Sequence, residues 1–155
     1  MLKRRIFLKN TLVASATGAV LSSGLMTSAS AKEEAPAMNP FEADNLKDAL
    51  KAAGITDYEI SDDVVVHAPS IAENGAVVTI KVEAKLDNVS EMAVLIEQNP
   101  TPYAANFFIG EGATPFVTSR FKMGKTSDVY GVVKVGDKYY ANKQFVKVTK
   151  GGCGG

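Results

Sequence analysis

From Tyr58 to Val148 the chain is a succession of short β-branched and aromatic runs, cut by turn residues too closely spaced for helices to fit between them. Ala76 to Ala84 shows the pattern best. Val78, Ile80 and Val82 alternate there with Thr79, Lys81 and Glu83, giving one apolar and one polar face, and the turn pair Asn74-Gly75 introduces the run. Val64 to His67 ends before Pro69, and Met92 to Ile96 is apolar throughout, which predicts a strand buried on both faces. Asn99-Pro100-Thr101-Pro102 interrupts the pattern. Ala104 to Ile109, Phe116 to Met123, Val129 to Val135, Lys138 to Ala141 and Phe145 to Val148 then follow, with Gly136-Asp137 as a tight hairpin between the third and fourth of these. About seven or eight short strands without a βαβ rhythm predict an all-β fold, an immunoglobulin-like β-sandwich, with a small barrel as the competing closure.

One helix is expected ahead of the strands. Asn39 is suited to the N-cap, Pro40 to the first helical position, and Glu42 stands where its carboxylate can return to the cap's backbone N–H. Ala43, Leu46, Leu50 and Ala53 recur at helical spacing, and Gly54 supplies the stop. Lys32 to Met38, charged and containing Pro36, reads as a loose leader.

Residues 1–31 read as an export signal. Lys3, Arg4, Arg5 and Lys9 form a basic head, Thr11 to Met26 is modestly apolar, and Ala29-Ser30-Ala31 is a small-residue cleavage site. Arg4-Arg5-Ile6-Phe7-Leu8-Lys9 resembles the twin-arginine signal, with Lys3 where that pattern usually has Ser or Thr. The alternative, a membrane anchor, fits poorly with so short and weakly apolar a run. The formal charge of the whole chain is zero, with 17 cations and 17 acids. Cleavage before Lys32 removes four of the cations, leaving 13 against 17 acids and a net of −4. A nucleic-acid or anionic-membrane partner is therefore disfavoured.

The chain has one cysteine, Cys153, flanked by Gly151-Gly152 and Gly154-Gly155. An odd cysteine in an exported protein has no internal disulfide partner, so it is free, capped, or joined to another chain. Four glycines give a slender segment with little tendency to regular structure, which keeps the thiol accessible. An extended stretch beginning after Val148 would carry the sulfur about 15 Å from the sandwich. The expected organisation is thus a signal peptide at 1–31, a sandwich with its helix at 32–148 and a flexible arm at 149–155.

No other residue makes a comparable case. His67 is the sole histidine, so a transition-metal site is not expected, and no cofactor is implied. A cysteine nucleophile needs a base held within hydrogen-bond reach, which a loose terminus does not offer from its own domain. Arg120, the only arginine after the signal, leads into Lys122 and Lys125 and reads first as a solvated strand face, second as an anion or partner contact. Phe107-Phe108 reads first as core, and as a hydrophobic docking patch if part of it is exposed. On these residues alone the function is either covalent carriage on Cys153 or a structural or redox module forming an interchain disulfide. A thiol oxidoreductase is disfavoured because there is no resolving cysteine.

The terminal Gly-Gly-Cys-Gly-Gly on an exported β-rich chain resembles the SoxY family, the sulfur-carrier subunits of the thiosulfate-oxidising Sox system. Leu95-Ile96-Glu97-Gln98-Asn99-Pro100-Thr101-Pro102, the Arg120 and Lys122 segment leading into Thr126-Ser127-Asp128-Val129, and Lys147-Val148-Thr149 also resemble that family. The resemblance implies a periplasmic carrier, not an enzyme, that pairs with a SoxZ-like β-sandwich and holds sulfur intermediates on Cys153. It implies as partners the c-type cytochrome complex SoxAX, the dimanganese hydrolase SoxB and, in complete systems, the sulfane dehydrogenase SoxCD.

Overall fold

A computed structural model describes residues 38–150; the expected signal peptide, most of the leader and Gly151 to Gly155 lie outside the described residues. Two sheets face one another. The larger has the order β1 (Glu59–Ile60), β9 (Lys138–Val148), β8 (Ser127–Val135), β5 (Val89–Ile96) and β6 (Tyr103–Phe108), with β3 (Ile71–Ala72) also pairing with β9. The smaller has the order β2 (Val64–His67), β4 (Val78–Ala84), β7 (Phe116–Phe121). This is the all-β sandwich that the strand pattern predicts, and the two separate sheets exclude the barrel.

Val78, Ile80, Val82 and Ala84 of β4 are buried against Met92, Val94 and Ile96 of β5 and Val129 and Val133 of β8, so the alternation places one face of each strand in a common core. Between Val129 and Val133 on that face stands Gly131. A Cβ there would lie 2.8 Å from Val82 Cγ1 and 2.9 Å from Val66 Cγ2. Glycine is therefore what lets the two sheets approach at this point.

The other face of the larger sheet carries a second core. Ala93, Leu95, Val132 and Ala141 are buried there with Ala43, Ala49, Ile55 and Tyr103, and Leu46 and Leu50 pack against them. Strand β5 is thus covered on both faces, as its unbroken apolar run predicts.

The covering element differs from the expected single helix. Asn39 does cap the first turn, its side chain accepting from Phe41 N–H, but Pro40–Glu42 is a 3₁₀ turn that ends at an extended Ala43 (ψ 136°). The α-helix, α1, begins at Leu46, with Asn45 as N-cap accepting from Asp48 N–H. Glu42 accepts from the Asn39 side-chain amide, not from its backbone. Asn45 competes successfully as a cap because its side chain replaces a lost backbone bond. The break also lets Ala43 enter the core while Phe41 meets Tyr103 edge-on, with ring centroids 4.9 Å apart. At the far end Gly54 (φ +76°) stops the helix as expected: its N–H donates to Lys51 and that of Ile55 to Leu50, the pairing of a Schellman cap.

Two further departures concern pairing. The predicted strands Lys138–Ala141 and Phe145–Val148 are one strand, because β8 pairs with β9 continuously from Val135↔Lys138 to Ser127↔Val146. The polar residues between them do not break it; the Asn142 side-chain amide donates to the carbonyls of Ser61 and Val64, tying β9 to the smaller sheet's edge. The two-residue strands β1 and β3, both parallel to β9, carry no sequence signal of their own. The hairpin at Gly136-Asp137 is as predicted, with Gly136 at φ +57° as a type II′ turn asks of its first central residue.

Gly131→Ala should lower the free energy of unfolding by about 1–3 kcal/mol, since buried valines on both sides cannot yield cheaply. Urea denaturation would register this as a lower midpoint with an unchanged slope.

Candidate functional site

Beyond the β8–β9 ladder, residues 147–150 are held by two distant segments, Ser70–Gly75 and Thr126. Lys147 N–H donates to Ser70 carbonyl, Thr149 N–H to Ala72 carbonyl (3.0 Å), and Gly75 N–H to Lys150 carbonyl (2.8 Å). The Thr149 hydroxyl donates to Glu73 carbonyl. On the other side Thr126 Oγ1 accepts from Val148 N–H at 3.0 Å, so that a side chain extends the β8–β9 ladder beyond its last backbone pair. Thr149 and Lys150, assigned from sequence to the flexible arm, are therefore part of the folded domain. The reach of an extended chain from the last held residue, Lys150, to Cys153 is about 10 Å, shorter than the sequence alone implies.

The Asn99 side chain fixes the adjoining loop with both ends of its amide. It donates to Lys122 carbonyl at 2.8 Å and accepts from Gly124 N–H at 3.2 Å. Met123 N–H donates to Gly75 carbonyl at 2.7 Å, and Met123 is fully buried beneath. Buried Ser127 accepts from Gln98 N–H and donates to Asp128 carbonyl. The Asn74 side chain accepts from Ala76 N–H, which shapes the turn that receives Lys150. Asn99, Thr126 and the Asn74-Gly75 turn thus build the arm's root. Asn74-Gly75 was legible as a turn, but nothing in local pattern reveals what Asn99 and Thr126 reach across the fold.

The other expected residues lie apart. His67 is exposed on β2, 3.8 Å from Glu83, beside a shallow groove that Lys81, Thr118 and Gln144 also line. Arg120 is exposed on edge strand β7, opposite Thr79, in agreement with the solvated-face reading. The Phe107-Phe108 pair divides: Phe107 packs against the sandwich core, and Phe108 is 79% exposed on β6. Cys153, Gly151, Gly152, Gly154 and Gly155, like Arg4 and Arg5 of the signal, lie outside the described residues. Among the described residues no cluster of three or more His, Cys, Asp or Glu side chains could hold a metal, and no helix is long and apolar enough to cross a membrane.

Four displaced proton affinities lie on the helix-side face of the larger sheet. Burial pushes Tyr103 up to about 12, with Glu91 and Tyr139 adding to it. Tyr130 is raised chiefly by burial, Lys134 by its hydrogen bond to Glu91, and Lys143 by its hydrogen bond to Asp128. The raised Tyr103 favours the folded state below its ordinary value and withdraws that support as pH rises toward 12.

The family model for SoxY, the sulfur oxidation protein SoxY, matches residues 49–153, a span that runs from α1 to the cysteine itself. The chain belongs to the SoxY family. Its fold is similar to that of the sulfur carrier protein SoxY from Chlorobium limicola f thiosulfatophilum, at 33% identity and a TM-score of 0.63, over 70% of this chain and 95% of that one. A chain from a structural study of T cell specificity and activation by the bacterial superantigen toxic shock syndrome toxin-1 is 16% identical, with a TM-score of 0.40, over 55% of this chain and 98% of that one. No curated protein matches by sequence. In this SoxY-family chain the matched span includes β9 and the hydrogen bonds that hold residues 147–150.

Thr126→Val should remove the Val148 contact at a cost of about 1 kcal/mol. Hydrogen exchange is expected to quicken at the Val148 and Thr149 amides while β4 and β5 stay protected.

Proposed function

We propose that this chain is a periplasmic carrier that holds sulfur intermediates of thiosulfate oxidation covalently on Cys153 and presents them to partner enzymes. The observation that carries the reading is the firmly hydrogen-bonded root at Val148 to Lys150, followed within three residues by the only cysteine of the chain. The family match, which extends to residue 153, supports it.

The chemistry asks little of the domain. In the loading step Cys153 thiol and thiosulfate join through a new S–S bond, giving a cysteine S-thiosulfonate, one proton and two electrons; the electrons pass to a c-type cytochrome complex such as SoxAX. Water then cleaves the S–SO₃ bond on a hydrolase such as SoxB, releasing sulfate and leaving a persulfide on the cysteine for a sulfane dehydrogenase such as SoxCD. An ordinary thiol, with a pKa near ~8.5, is only a few per cent thiolate at neutral pH. Activation therefore falls to the partner's pocket. The carrier contributes reach, and the glycines contribute slenderness.

A SoxZ-like sandwich completes the carrier as a heterodimer. Phe108 and the β6 edge suit such a pairing, because β6 has only β5 as strand neighbour among the described residues. Glu91 pairs with both Phe108 and Lys134, whereas Ser127 lies at the other end of β8, so this patch and the arm's root occupy opposite ends of the sheet, roughly 20–25 Å apart. A subunit seated on the patch leaves the arm unobstructed.

Cys153→Ser should abolish thiosulfate-dependent cytochrome reduction in a reconstituted system without changing the unfolding midpoint. Intact mass of wild-type protein isolated without reductant should show sulfur or thiosulfonate adducts. Normal turnover by the serine variant, or a homogeneous disulfide dimer in place of adducts, would assign the cysteine to crosslinking instead.

Export follows the twin-arginine route, which carries folded cargo, and a partner lacking its own signal rides with this chain. Replacing Arg4 and Arg5 by Lys is expected to leave both subunits in the cytoplasm, read by fractionation and immunoblot. A partner that still reached the periplasm alone would exclude shared export.

A further inference from the structure

Two of the segments that meet at the arm's root bring lysine to the surface. Lys122 and Lys125 flank the Met123 and Gly124 turn, Lys147 lies on β9, and Lys150 is the last held residue; all four are exposed. The bonds from Met123 N–H to Gly75 carbonyl and from Gly75 N–H to Lys150 carbonyl make these segments immediate neighbours. The carboxylates nearby are Glu73, on the receiving turn, and Glu97, whose N–H donates to Asp128 carbonyl. Asp128 itself is engaged by Lys143 at 2.6 Å. Among the described residues none of the four ammonium groups forms an ion pair. The root is thus locally basic in a mature chain whose expected net charge is negative.

We propose that Lys122, Lys125, Lys147 and Lys150 form a basic collar that docks against an acidic protein surface, the carboxylate-bearing rim of the pockets into which partner enzymes receive the arm. The proposal rests on the carrier reading and deepens it. Geometry forces the contact: with about 10 Å of extended chain between Lys150 and Cys153, a pocket that engages the sulfur must bring its mouth up to the root. The Debye length at physiological ionic strength is about 8 Å, so rim charges face the collar with little screening. A basic rim would be repelled, whereas carboxylates supply the complement. Lysine suits brief visits, since a flexible, strongly hydrated point charge steers encounter without the bidentate grip of arginine. A carrier handed from one enzyme to the next needs fast arrival and easy release.

The test uses the full mature chain with its partner subunits in a reconstituted thiosulfate-oxidising system, varying carrier, thiosulfate and NaCl concentrations separately. With Lys122→Gln, Lys125→Gln, Lys147→Gln and Lys150→Gln combined, the apparent KM for carrier should rise about tenfold at low ionic strength with kcat retained. The salt dependence of that KM, steep in the wild type, should flatten. Single variants should show graded shifts, which keeps the test decisive if the combined variant folds poorly, and iodoacetamide should alkylate Cys153 in them as in the wild type. An unchanged carrier KM and salt slope would overturn the collar. So would a rise confined to the KM for thiosulfate, which would assign the lysines to the small anion itself. Cys153→Ser in the same assay separates the two readings: full turnover there refutes the carrier, whereas a dead serine variant beside normal lysine variants refutes the collar alone.

Discussion

Burial of β5 on both faces is the constraint on which the rest of the structure depends. Met92, Val94 and Ile96 point into the sandwich, and Ala93 and Leu95 point toward the helix. A strand of this kind has no solvated side, so the chain must supply a cover for each face, the smaller sheet on one and the segment Pro40 to Ile55 on the other. That requirement explains why the helical segment breaks at Ala43: a continuous helix would hold Phe41 and Ala43 to a single axis, whereas the broken one lets both reach the sheet. It also explains Gly131, since sheets drawn together over β5 leave no room for a Cβ on the neighbouring strand.

The same scaffold determines where the arm begins. Strand β9 is held along its length by β8 and at its ends by β1 and β3, and its hydrogen bonding continues through Thr126 and the Asn74-Gly75 turn to Lys150. A hydrogen bond of this sort contributes only about 1 kcal/mol, but several in sequence prevent the strand's end from fraying. Hydrogen bonding therefore holds the chain as far as Lys150, which sets the boundary of the held root. That boundary matters for a carrier, because a frayed root would lengthen the reach at the cost of orientation, while a held root ties the position of the thiol to the position of the domain.

Charge divides along the molecule as the fold does. Acids predominate in the helical segment and the β1 region, where Glu42, Asp44, Asp48, Asp57, Glu59, Asp62 and Asp63 stand against Lys47 and Lys51, and lysines predominate in the loops gathered at the root. Lys143 and Lys134, by contrast, are paired on the helix-side face. The net charge of the chain conceals this separation, which arises only when residues 73–75, 122–126 and 147–150 are brought side by side.

The sequence by itself determined the class of fold and the place of the lone cysteine. Period-two alternation at Val78 to Ala84, the unbroken apolar run at Met92 to Ile96 and the glycine at position 136 are local signals, because side-chain direction in a strand and backbone sign in a turn are properties of neighbouring residues. A lone cysteine between paired glycines is likewise legible without coordinates. Tertiary structure alone decided the rest. The Asn45 cap prevailed over a longer helix because core burial rewarded the break; β1 and β3 exist only as partners of β9; and the chain is held as far as Lys150 because Ala72, Glu73, Gly75 and Thr126 lie within hydrogen-bond reach of Val148, Thr149 and Lys150, with the Thr149 hydroxyl reaching Glu73 across 76 positions. Such contacts depend on which strands become neighbours, and no window along the chain contains both partners.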